Sequence, residues 1–231
     1  MYIDNFQNNY LKLPNRMQFT LISLLSLNIF LAMNFNNSTK SKIVCFGDSI
    51  THGAKVNGRS WVYILSKEHQ NFDFINEGRN GRKTSDKKEL LPILKKYSDA
   101  NYFLIFLGVN DLKNGNDSLV DLCVGDMKWM IEKIRQSNKK VKIVILSPSK
   151  INLKTMSLLN IEKNYNKNTE KSLIKLEIRY RALAKKDSVE FISLLNTVSP
   201  QNYVDGLHPN ENGQQEIANK IWSNLDKIFN L

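Results

Sequence analysis

The sequence predicts an α/β domain built on one open sheet of five parallel strands. From Lys42 onward, short β-branched or aromatic runs bounded by Gly, Asn or Pro alternate with longer segments of helical period. Most of the short runs lack polar alternation, as strands covered on both faces do. The length of 231 residues suits one core, which can grow to about 250 residues before chains tend to split.

In chain order, strands are expected at 43–46, 72–76, 102–107, 141–146 and 189–194, with helices between them at 61–68, 87–97, 119–134 and 169–185. In the third helix Val120, Val124, Met127, Ile131 and Ile134 fall on one stripe. A last helix carries Ile217, Ile221, Leu225 and Ile228, and Asn212 followed by Gln215 is its expected cap. No repeat or low-complexity linker interrupts the series, so 40–231 is read as a single domain.

The segment 1–39 is of another kind. Residues 1–16 are polar, with Lys12 and Arg16 as their cations, and 19–33 are apolar except for Thr20, Ser23, Ser26 and Asn28. Fifteen residues suit the apolar core of an export signal better than a spanning helix, which needs about 20. The segment is therefore read as a polar extension plus a signal peptide or a membrane anchor. Either form delivers the domain outside the cytoplasm, periplasmic, secreted or anchored, and confines membrane contact to the N-terminus.

Composition excludes several classes. Apolar residues at 42% and charged residues at 24%, with five prolines, are globular values. Two cysteines, Cys45 and Cys123, are too few for a disulfide scaffold and match no zinc spacing; they read as small buried apolar residues. The net charge of +11 comes from 26 lysines and seven arginines spread along the chain. Base and phosphate recognition favours arginine, so this balance reads as a compositional bias, and no nucleic-acid partner is expected. A nucleotide fold of this class would carry Gly-x-x-x-x-Gly-Lys-Ser/Thr or Gly-x-Gly-x-x-Gly, and neither occurs.

In an open parallel sheet, ligands sit outside the carboxyl ends of the strands. Gly47, Asp48 and Ser49 follow the first expected strand, 78–81 the second and 108–111 the third. Acyl transfer needs a nucleophile, a base, a group to hold the base and donors for the oxyanion. Ser49 is the candidate nucleophile, although a Ser in this position can merely cap a helix. Of three histidines, His69 sits in a polar helix end and reads as solvated, and His52 is too close in sequence to Ser49 for an easy approach. His208 remains, and Asp205, three residues before it, can reach its imidazole and fix the tautomer. Gly81 can offer an unobstructed N–H and Asn110 its side-chain amide. Thr51 stands where the α/β-hydrolase elbow requires glycine, which excludes that arrangement.

The residues Gly47-Asp48-Ser49, the glycine of the second loop, Gly108-x-Asn110-Asp111 and Asp205-x-x-His208 resemble, in order and spacing, the four sequence blocks of the SGNH (GDSL) hydrolase family. The likeness covers nearly the whole chain after Lys42. It implies a flavodoxin-like three-layer α/β/α sandwich and ester hydrolysis without a cofactor. Ser49 would be the nucleophile, His208 the base oriented by Asp205, and the Ser49 and Gly81 N–H groups with the Asn110 side chain the oxyanion hole. The run from Glu77 to Thr84 and Arg59-Ser-Trp resemble the bacterial arylesterase and acyltransferase branch.

The segments 53–59, 111–118 and 148–167, expected to line the mouth, are rich in Lys and Asn. That favours a short, acetyl-type acyl group on a small-molecule or glycan alcohol. Leu153, Met156, Leu158, Leu159 and Ile161 form either an apolar lid, as a lipase or thioesterase for longer chains would use, or core. The alternative from another class is a non-catalytic carbohydrate- or envelope-binding domain on the same scaffold.

Overall fold

The computed structural model describes residues 40–230, so the expectations for 1–39 lie outside the described residues. Five parallel strands, β1 (Ser41–Gly47), β2 (Phe72–Gly78), β3 (Tyr102–Phe106), β4 (Lys142–Leu146) and β5 (Glu190–Ile192), form one sheet in the order β2-β1-β3-β4-β5. This is the flavodoxin-like order anticipated above. The helices are α1 (Ser49–His52), α2 (Trp61–Glu68), α3 (Leu90–Lys96), α4 (Asp117–Ser137), α5 (Leu158–Glu162), α6 (Lys167–Asp187) and α7 (Glu211–Phe229).

Alternate side chains of each strand enter opposite cores. Val44, Phe46, Phe103, Ile105, Ile143 and Ile145 pack with α3, α4 and α6 on one face. Ile43, Cys45, Leu104, Phe106, Val144 and Leu146 pack with α2 and α7 on the other. The three-layer sandwich follows from this period of two on a sheet apolar on both faces. Cys45 and Cys123 are buried and free, one in each core, and so on opposite sides of the sheet.

Three local expectations need correction. Asn212 does not cap the last helix; it lies in the first turn, and the Asn210 side chain accepts from the Gly213 N–H at 3.0 Å. The helix expected at 87–97 is a 3-10 turn, Thr84–Glu89, followed by α3. His69 is only partly solvated: it is half-buried at the end of α2, with its ring stacked on Trp222 at 3.4 Å between centroids. The edge strand β5 is shorter than expected, and α1 and α5 are too short to leave a readable period.

Register positions the site. Gly47 pairs with Gly78 on one side and with Phe106 on the other. The loops after β1, β2 and β3 therefore open at the same level, side by side, around the point where the strand order reverses. Among the described residues, no helix is long and apolar enough to cross a membrane.

Candidate active site

Ser49 is the first residue of α1. The cap is Asp48, whose carboxylate accepts from the Ile50 N–H at 2.9 Å, so Ser49 is free of the capping role considered for it. A side chain on Gly78 would put its Cβ 2.3 Å from the His52 nitrogen, and that missing atom lets α1 lie against the end of β2.

The loop before α7 delivers His208. An antiparallel bridge between Tyr203 and Pro209 closes it, and the Asp205 carboxylate accepts from the Leu207 and His208 N–H groups at 3.2 and 2.8 Å. The same carboxylate lies 2.9 Å from His208 Nδ1, and His208 Nε2 lies 3.0 Å from Ser49 Oγ. Burial pushes the Asp205 carboxyl up, but the bonds from the His208 ring and backbone, the imidazole charge and the Leu207 N–H outweigh it, leaving the carboxyl well below the usual range. It is thus an anion suited to holding a proton on Nδ1 and leaving Nε2 free to accept one. Gln214, fully buried on α7, accepts from the Trp61 N–H at 2.9 Å and donates to the Ile50 carbonyl at 3.2 Å. It fastens α7 to α1 and α2, and so the histidine loop to the serine.

The remaining sequence-selected residues converge on the same place. Gly81 adopts φ +75°, a left-handed conformation that favours glycine, and Asn110 is 5% exposed. Asn110 donates one amide hydrogen to the Arg82 carbonyl at 3.1 Å and accepts from the Tyr165 hydroxyl at 2.8 Å, which leaves its second hydrogen for a ligand. Ser49, Gly81, Asn110, Asp205 and His208 all line one cavity of about 280 Å³. A wider groove of about 760 Å³ along α4 contains none of them. Its lining is charged, with Lys87 paired to Asp126, but it holds no histidine and none of the residues selected for acyl transfer.

Residues 45–216 match the GDSL-like lipase/acylhydrolase family. The chain belongs to this family. It is accordingly a carboxylic ester hydrolase. No curated relative matches the chain by sequence. Among solved structures, a carbohydrate acetylesterase family member from Sinorhizobium meliloti is 18% identical with a TM-score of 0.70, covering 83% of this chain and 100% of its own. An acetyl xylan esterase, AlAXEase, is 21% identical with a TM-score of 0.63, over 80% of this chain and 99% of its own. The inhibitor-bound aryl esterase of M. smegmatis is 21% identical with a TM-score of 0.67, over 80% and 99%. At these identities the likeness is one of fold.

Around this GDSL-family site stand residues to which sequence reasoning assigned no role. Arg82 is 5% exposed, lies over the Phe46 ring, and donates to the carbonyls of Gly47, at 2.7 Å, and Glu77. It ties the ends of β1 and β2 together. Asp111 accepts from the Thr84 N–H and hydroxyl at 3.0 and 2.8 Å, joining the third loop to the second. Both stand in the quoted runs, but an Arg or Asp in a polar loop gives no sign of which backbone or side chain it will hold. Tyr165 and Asn160 also line the pocket, from a segment whose path cannot be read from periodicity.

Proposed function

We propose that this GDSL-family protein is a serine esterase that hydrolyses short-chain, acetyl-type esters through an acyl-enzyme on Ser49. The observation that carries the reading is the contact of Ser49 Oγ with His208 Nε2, in line with the Asp205 carboxylate, inside a pocket of about 280 Å³. Ser49 Oγ attacks the ester carbonyl while His208 Nε2 takes its proton. The imidazolium so formed is stabilised by Asp205 through Nδ1–H. The carbonyl oxygen, now an anion, receives the Ser49 and Gly81 N–H groups and the free Asn110 amide hydrogen. Collapse breaks the bond to the alcohol, which leaves with the proton from His208. Water then repeats the sequence on the acyl-enzyme and releases the acid.

The lining supports a short acyl group, because Lys55, Asn80, Lys113, Asn160 and Lys163 leave little continuous apolar surface for a long chain. The acetylesterase and acetyl xylan esterase neighbours agree with an acetyl group on a sugar. One observation favours a second reading. Leu158, Leu159 and Ile161 are 79%, 56% and 52% exposed on α5, and Leu159 lines the pocket. A longer acyl chain could lie along them, as in a lipase or thioesterase.

Release of p-nitrophenol from its acetate and octanoate by the full chain, beside Ser49→Ala, tests both. Acetate turnover that disappears in the variant supports the short-chain serine esterase. Faster octanoate hydrolysis supports the second reading. Equal background rates in both proteins would leave a polysaccharide deacetylase selective for its glycan or the non-catalytic glycan-binding alternative, and Ser49-dependent acetate release from acetylated glycans decides between them.

A further inference from the structure

The wall of the pocket has a charge pattern that ester cleavage does not use. Lys55, Lys113 and Lys163 all line it, from three different loops, and Asp205 is the one carboxylate in that lining. That carboxylate is taken up by His208. None of the three lysines is in an ion pair among the described residues, where Lys42, Lys87, Lys96, Lys128 and Lys175 are the lysines with a carboxylate partner. Compositional bias accounts for the number of lysines in the chain; what sets these three apart is that separate loops bring them to the same cavity, which also holds Ser49 and His208.

Lys113 shows the consequence. It is half-buried, with its ammonium 5.4 Å from the centre of the Tyr165 ring. Burial, and next the charges of Lys83 and Lys163, hold its ammonium below the ordinary lysine range, with Asp111 opposing. Like charges gathered at a concave, partly desolvated wall repel one another, and a ligand anion relieves that repulsion.

We propose that Lys55, Lys113 and Lys163 form an anion-recognition rim, which makes the preferred substrate the O-acyl ester of an anionic molecule. The anion is a carboxylate or phosphate within a ring's width of the acyl group, as on an acylated uronic acid or sugar phosphate. The substrate assignment rests on the esterase reading above, but the rim can be tested without turnover.

The test uses the full chain carrying Ser49→Ala, so that esters bind without being cleaved. Calorimetry compares 4-acetoxybenzoate and 4-acetoxyphenyl phosphate with the neutral 4-acetoxybenzamide. At low salt both anions are expected to bind about tenfold or more tighter than the amide, an effect of two or three screened charge contacts. The preference should shrink strongly in about 0.5 M NaCl, where the Debye length falls below about 5 Å. It should also shrink toward unity in Lys55→Gln/Lys113→Gln/Lys163→Gln, with the melting temperature reporting that the variant is folded. A stronger preference for the carboxylate or for the phosphate identifies which source of anion the rim fits. Equal affinities for charged and neutral esters, or an anion preference that survives both salt and the triple substitution, would overturn the proposal. Wild-type turnover of the same esters separates the two claims. Turnover no faster than that of Ser49→Ala, with anion-selective binding intact, rejects the esterase mechanism and keeps the rim; Ser49-dependent turnover without selectivity does the reverse.

Discussion

The two sides of the pocket invert the usual placement of side chains in opposite ways. On the β1–β3 side, charge is inside: Asp48 is 1% exposed and Arg82 5%, and each holds backbone in place. On the side formed by 148–165, apolar surface is outside, with Leu158 at 79% exposure. That segment is anchored through its base, where Asn152 N–H donates to the Gly206 carbonyl and Ser157 N–H to that of Asp205. A buried charge is costly unless fully partnered, and an exposed apolar patch is costly unless something covers it. The first side spends stability on fixed geometry; the second keeps a surface that a ligand can complete.

The largest expected effect lies in the braced side and is read by pH. Burial pushes the Asp48 carboxyl up to about 7 from its ordinary 3.8, against the Ile50 N–H and the charges of His208 and Arg82. Between these values the folded protein keeps a proton that the unfolded chain has lost. Stability from this group is therefore full at low pH, declines as pH rises toward about 7 and is level beyond, a difference on the order of 4 kcal/mol. Asp205, whose carboxyl is held low, acts in the other direction and in another window, losing stability only as pH falls below the ordinary carboxylate range. Asp48→Asn keeps an acceptor for Ile50, so denaturant unfolding should show a flatter pH slope than wild type. Parallel slopes would remove Asp48 as the source.

Asn110 comes next. Replacing it with Ala removes one oxyanion donor, and on the proposed mechanism acetate turnover falls by about 10² to 10³. The substitution also strands the Arg82 carbonyl and the Tyr165 hydroxyl, so folding must be checked alongside kcat. A folded variant with undiminished kcat would refute the role. Arg82→Met should act on stability instead, by about 2–3 kcal/mol in urea unfolding, because the Glu77 carbonyl is left without this donor. The Gly47 carbonyl keeps the Arg79 N–H at 3.1 Å.

This division also explains what the sequence made legible. The sheet was readable because strands such as 102–106 are apolar on both faces, and the candidate nucleophile because Ser49 directly follows β1. Asp205 and His208 meet within one short loop, so their contact follows from local chain geometry. Arg82 and Asp111 stood in quoted motifs, yet their roles depend on partners 27 to 35 residues away in sequence. The path of 148–165 is set by bonds to Gly206 and Asp205, and no local pattern encodes those. Of the five residues considered as lid or core, the structure divides them: Leu153 and Met156 pack against the core while Leu158, Leu159 and Ile161 face outward.

Those three outward residues give the smallest expected effect and the sharpest test of the comparison. Side chains more than half exposed bury little area, so Leu158→Ser, Leu159→Ser and Ile161→Ser should each change stability by no more than about 0.5 kcal/mol. Any change in activity must then come from the ligand. If a longer acyl chain lies along α5, the octanoate-to-acetate ratio of kcat/KM falls in the triple variant through octanoate alone, since about 0.8 kcal/mol is at stake for each CH₂ that is no longer covered. If the pocket takes only a short acyl group, both esters keep their rates and the ratio stays where it was. A large loss of stability instead would mean that this side of the pocket is as firmly built as the other, and the contrast between them would fail.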